Sequence, residues 1–201
     1  MIELLLSFIV ILNPFALCLY LSGIIEDLDS KQFFRVLTLA SLVSYIVFAV
    51  FSLFGDKLLI TVFSVRTEAL RTFGGLVFLV VAYNYVTKGS SEATAILRGS
   101  LDELPSQIAV PFMIGAGTIT QAILIGKRSN ALSSVIILLF AVAISTLFVL
   151  VFKYVRDKIK ERHIQTFDRY VNILSRINGL IIGAISIEMI VSGVSNLCKF
   201  P

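Results

Sequence analysis

Six apolar stretches of about 20 residues each dictate what this chain can become, because a helix of that length crosses the hydrocarbon core of a bilayer. They run from Ile2 to Ile25, Phe33 to Gly55, Thr67 to Thr87, Leu104 to Ile125, Ala131 to Phe152 and Tyr170 to Leu197. With 57% hydrophobic residues against 15% charged ones in 201 residues, composition agrees with pattern: an all-α, multi-pass membrane protein is expected. The start, Met1-Ile2-Glu3-Leu4, has no basic region and no small-residue cleavage site. The first stretch is therefore expected to stay as a membrane helix and not to act as a cleaved signal.

Two of the six stretches carry interruptions at mid-depth. In the first, Asn13 suits a helix N-cap and Pro14 the first helical position, so the run reads as two half-helices. In the fourth, Pro111 and Gly115-Ala116-Gly117 break the pattern, and Thr118 followed by Gln121 resembles a capping box ahead of the run Ala122 to Ile125. A lone proline inside a membrane helix is ordinarily a kink. Here the two breaks correspond: Arg71-Thr72-Phe73-Gly74 and Arg176-Ile177-Asn178-Gly179 lie 105 residues apart, and the same shift places Asn13 on Thr118. The expected organisation is one transmembrane domain over residues 1–201, with a first repeat over 1–88, a polar linker over 89–104 and a second repeat over 105–198. Three helices per repeat is an odd number, so the halves cross the membrane in opposite senses, an inverted 3+3 plan with helices 1 and 4 discontinuous.

Lipid cannot satisfy the backbone groups freed at such breaks, so they must face protein or a watery cavity. A half-helix start presents N–H groups and a positive dipole end, and the half-helix before it ends in unpaired carbonyls. Together they suit a compact zwitterion. The candidate binding residues are Asn13, Pro14, Phe15 and Ala16 in the first half and Gly115, Ala116, Gly117 and Thr118 in the second, with Phe15 and Phe112 shaping the cavity. Asn84 and Glu188, polar residues inside apolar runs, and Gln121 are the candidates for coupling or for lining the site.

Other features point away from catalysis and cofactors. Cys18, Cys198 and the single histidine, His163, form neither a disulfide framework nor a metal cluster. The stretch from Lys153 to Arg169 alternates in sign and reads as a solvated helical extension, not as a nucleic-acid surface. Lys57 to Val65 is too short to span; it extends the second helix or lies at the interface. Arg71 and Arg176 read as interfacial anchors. Gly179 and Gly183, spaced as GxxxG, are expected to pack against a broken helix of the same chain.

Basic residues set the expected orientation. The connections after helices one, three and five carry Lys31, Arg35, Lys88, Arg98, Lys153, Arg156, Lys158, Lys160, Arg162, Arg169 and Arg176, against Lys57, Arg66, Arg71, Lys127, Arg128 and Lys199 on the other side. The positive-inside rule then places both termini outside the cell.

The ordered set of Asn13-Pro14-Phe15, Arg71 to Leu76, Ile108 to Ile119 and Arg176 to Ile181 resembles the MarC family over nearly the whole chain. The resemblance implies six membrane helices in an inverted repeat and, in its SnatA-type members, transport of small neutral amino acids across the cytoplasmic membrane, driven by a proton gradient. Sodium is the other coupling ion to consider. Asn84 stands where the family often has Asp, and Glu188 where it often has Gln; if both face one cavity, the acid has moved between the repeats. The alternatives are a channel or exporter for another small metabolite and a membrane thiol-redox carrier, which would need paired cysteines.

Overall fold

The first apolar stretch folds as three short helices: α1 (Ile2–Leu12), α2 (Pro14–Tyr20) and α3 (Ser22–Asp27). The computed structural model describes residues 1–62, 64–88, 101–159 and 161–198. Asn13 is both the end of α1 and the start of α2. Its φ of 49° and ψ of 74° are left-handed, a conformation that asparagine tolerates better than most residues. Its N–H donates to the Ile9 carbonyl at 2.8 Å, while its side-chain oxygen accepts from the Ala16 N–H at 3.1 Å. The expected N-cap and the proline at the first helical position both form.

α4 (Ser30–Lys57) and α8 (Ala131–Lys158) are each 28 residues long. Both begin on a side-chain cap: Asp29 accepts from the Gln32 N–H at 2.7 Å and Asn130 from the Ser133 N–H at 2.8 Å. Such caps contribute about 1 kcal/mol each. The two helices meet near their middles, where the Ser41 and Thr146 hydroxyls lie 2.7 Å apart. α5 (Thr67–Lys88) and α9 (Glu161–Cys198) run antiparallel along each other. Gly75 lies against Ile190, and Gly179 against Tyr85. The glycine pair of the GxxxG pattern therefore packs on α5, a continuous helix, because its partners are Ala82, Tyr85 and Val86.

The fourth apolar stretch is not one helix. A single turn, α6 (Leu104–Gln107), leads into a π-helical segment, Ile108–Met113, and the chain restarts as α7 (Ala116–Arg128). Within the π segment Val110 is extended, with φ −122° and ψ 119°, which is where the ring of a following proline pushes its neighbour. Among the described residues, five helical runs are long and apolar enough to cross a membrane: Ile2–Tyr20 taken through its break, Ser30–Gly55, Thr67–Thr87, Ala131–Lys158 and Gln165–Cys198. The short stretch after α4 forms a π turn, Leu58–Val62, followed by Ser64 at a φ of 53°. Of the linker expected over 89–104, only 101–104 fall within the described residues, as do none of the side chains over 160–164, His163 included.

The interior is apolar with scattered small hydroxyls. Phe8, Phe33, Phe48, Leu37, Ile108 and Met113 are essentially inaccessible, and Ser44, Ser134, Ser145 and Ser186 are buried as well. Phe8 of α1 meets Phe48 of α4 edge to face at 5.1 Å. The outward faces are also apolar: Leu42, Ile46, Phe140 and Leu147 are all more than 45% exposed, as expected where the surrounding solvent is lipid.

One expectation is reversed at the end of α8. Lys153 and Arg156, expected to be solvated, are 4% and 9% exposed. The Lys153 ammonium donates to the Ile25 carbonyl at 2.9 Å and the Leu28 carbonyl at 3.0 Å, the free end of α3, and pairs with Asp157 at 3.2 Å. Arg156 pairs with Glu26. Sequence shows the alternating signs but not that α3 ends against them.

Candidate functional site at the two helix breaks

A cavity of about 560 Å³ lies where the two interrupted stretches approach α5 and α9. From the first break it is lined by Val10, Ile11, Leu12, Asn13 and Ala16. The carbonyl of Val10 has no helical partner there, since the residue four positions on is Pro14, which has no N–H. From the second break come Phe112, Met113, Gly115, Ala116 and Thr118. The two interruptions thus share one space.

The second break is built differently from the expected capping box. Gly115, not Thr118, is the N-cap, and Thr118 sits three positions inside the helix. Its hydroxyl accepts from the Gly115 N–H at 2.9 Å and turns its proton toward the carbonyls of Met113 at 2.9 Å and Gly115 at 3.0 Å. Gln121 instead reaches across to the Ser7 hydroxyl of α1 at 2.8 Å. Thr118 therefore clasps the two sides of the break. Thr118→Val keeps the shape and removes all three bonds, leaving buried backbone groups unpaired. A loss of about 1–3 kcal/mol is expected, to be read as a lower melting temperature of the detergent-solubilised protein. An unchanged melting temperature would show that the clasp carries nothing.

α5 covers this restart closely. A Cβ on Gly74 would lie 2.7 Å from the Gly117 nitrogen and 3.0 Å from the Ala116 carbonyl carbon. Gly117 is itself covered by Phe78 and Met189. On the other side, α9 contributes Asn178, whose side-chain oxygen accepts from the Asn13 amide at 3.1 Å, while its own amide nitrogen is buried without a partner. The corresponding segments Arg71 to Gly74 and Arg176 to Gly179 thus each touch a break, the first that of α7 and the second that of α1. In the sequence, the signal that marks out Asn178 is a polar residue inside an apolar run.

The remaining candidates divide. Asn84 lines the cavity, beside Tyr85 and Tyr20. Tyr20 stacks obliquely on Tyr85 at 5.4 Å and on Phe112 at 4.8 Å, closing one end with aromatic rings. Pro14, Phe15, Gly117 and Gln121 are near the breaks but do not line the space, and Glu188 is exposed on the surface of α9. Asn84 and Glu188 are accordingly not brought together, and an acid moved between repeats into one cavity is not what forms. Among the described residues no charged side chain lines the cavity and no cluster of metal-ligating residues occurs. An ion of net charge would be buried there without a counter-charge, which is costly; a neutral or zwitterionic solute would not.

Known proteins resemble the chain along most of its length. The family described as MarC family integral membrane protein matches residues 1–198. A UPF0056 membrane protein of Aquifex aeolicus is 27% identical over 204 residues, covering 96% of this chain and 92% of its own. A UPF0056 membrane protein of Pyrococcus horikoshii is 23% identical, covering 94% and 90%. The UPF0056 membrane protein YhcE of Escherichia coli is 28% identical over 164 residues, 75% of this chain and 70% of its own. No solved structure matches the chain.

Proposed function

Because the chain belongs to the MarC family of integral membrane proteins, we propose that it is a secondary transporter that moves small neutral amino acids across the cytoplasmic membrane by alternating access. The observation that carries this reading is the sharing of one uncharged cavity by two helix breaks that come from different halves of the chain. Free backbone groups at a discontinuous helix are how such carriers hold a substrate's charged ends near the bilayer midplane. Ala116 and its neighbours at the start of α7 would face a carboxylate, and the last carbonyls of α1 an ammonium.

Correspondences between the two halves support the inverted-repeat and alternating-access part of this reading. α4 and α8 match in length and in capping and touch near their midpoints. The contacts of Gly75 with Ile190 and of Gly179 with Tyr85 are equivalent under an exchange of halves, to within one residue of the shift between Arg71 and Arg176. Two halves of like build can trade conformations and so open the same site to either face. In this reading both termini lie outside, an orientation supported by the distribution of basic residues. A reporter enzyme fused to the C-terminus should be active only beyond the cytoplasm.

Coupling is assigned to a proton, with sodium as the alternative. Glu188 lies on the outer surface, so a coupling role for it would act from outside the cavity. The thiol-redox alternative finds little support: both cysteines are free, and Cys18 is fully buried.

The test is uptake of labelled glycine or alanine into proteoliposomes under an imposed proton or sodium gradient. Saturable, gradient-dependent accumulation with counterflow is expected; uptake that never saturates would favour a channel. Absence of accumulation of any neutral amino acid under either gradient would overturn the reading.

A further inference from the structure

We infer that, among neutral amino acids, the cavity selects those with aliphatic side chains of valine to leucine size over glycine and alanine. The inference rests on the transport reading above and concerns the same site. It comes from the wall that α5 and α9 build beside the breaks, where Val77, Phe78 and Val81 of α5 line the space together with Ile182 and Ile185 of α9. Positions 77, 78 and 81 fall on one helical face, so the wall is continuous and not a scatter of single residues.

Polar groups are confined to the margins of this wall. Asn13, Gly115 and Thr118 stand at the breaks, and Asn84, Tyr20 and Tyr85 at the aromatic end. A substrate whose charged ends sit at the breaks must direct its side chain along the wall. With glycine or alanine, much of a space of about 560 Å³ would be left as water against apolar side chains, which is unfavourable. That volume is in the range of about 300–1,000 Å³ typical of sites for larger ligands. Each added carbon that displaces such water should tighten binding roughly fourfold. No acid or base lines the wall among the described residues, so side chains that carry charge are rejected.

The experiment is competition against labelled alanine uptake in proteoliposomes, with unlabelled glycine, alanine, valine, leucine and lysine. Half-inhibitory concentrations should fall roughly fourfold per carbon from alanine through valine to leucine, with glycine weaker than alanine and lysine inert. Val81→Phe, which fills the wall, should remove the advantage of leucine over alanine in the same competition. Glycine and alanine competing best, or a ranking that Val81→Phe does not move, would overturn the inference and leave the transport reading standing. If the folded native protein takes up no neutral amino acid at all, both fall.

Discussion

Gly126→Ala should destabilise the protein by about 3 kcal/mol or more, at or beyond the upper end of what overpacking usually costs. In α7, Gly126 lies on α4 so closely that an added Cβ would overlap the Ser52 carbonyl oxygen and come within 2.8 Å of its carbon. The obstacle is backbone, so no rotamer change relieves it. Nor is α4 free to retreat: a little further along the chain Gly55 presses on Ile123, and in mid-helix Ser41 meets Thr146. Alanine is a better helix former than glycine by about 1 kcal/mol, which works against the prediction, but the overlap outweighs it. Gly183→Ala supplies the control. A Cβ there would meet Ala82 at 3.6 Å, an ordinary contact, and the melting temperature should hold or rise. Equal behaviour of the two variants in detergent would refute the packing argument.

Lys153→Met should cost about 1–3 kcal/mol, the usual penalty for leaving buried carbonyls without their donor. The loss leaves the Ile25 and Leu28 carbonyls without their donor and Asp157 without its cation. Asp157 keeps one bond, from the Ser30 hydroxyl at 2.9 Å. Lys153→Arg should rescue only part of this, because a planar guanidinium cannot replace a compact ammonium held between two carbonyls and over the Phe33 ring at 5.5 Å. The measurement is thermal unfolding of both variants beside the native protein. Full stability of Lys153→Met would mean that the end of α3 is held by apolar contacts alone.

The helices and their breaks were legible because each is a local signal. Asn13-Pro14 announces itself by capping chemistry, and the runs of apolar residues by length. What failed to show was mostly long-range. Thr118 has the residue type of a cap, but Gly115 takes that position, since the chain leaves the π segment extended and only the Thr118 hydroxyl can reach back to bind it. Glu188 looked like a buried functional acid because the run around it is apolar. In a bundle immersed in lipid, an apolar neighbourhood in sequence marks the outside as readily as the inside. The same ambiguity hid Lys153, whose charge pattern suggested water while its partners come from α3, more than 100 residues earlier.

By itself the sequence determined that this is an all-α membrane protein, where its helices lie, though α9 starts at Glu161 and so more than two turns ahead of the expected Tyr170, and that two of its apolar stretches are interrupted. Those properties follow from bilayer thickness, from proline's missing N–H and from the capping preferences of asparagine, all of which act within a few residues. Only the tertiary structure decided that both breaks open into one uncharged cavity, that Asn178 joins Asn13 there while Glu188 faces outward, and that the apolar wall beside them is built from one face of α5 and a stretch of α9. Which side of a helix meets which neighbour depends on packing among segments far apart in the chain, and an apolar face turned to lipid and one turned to protein are written in the same residues.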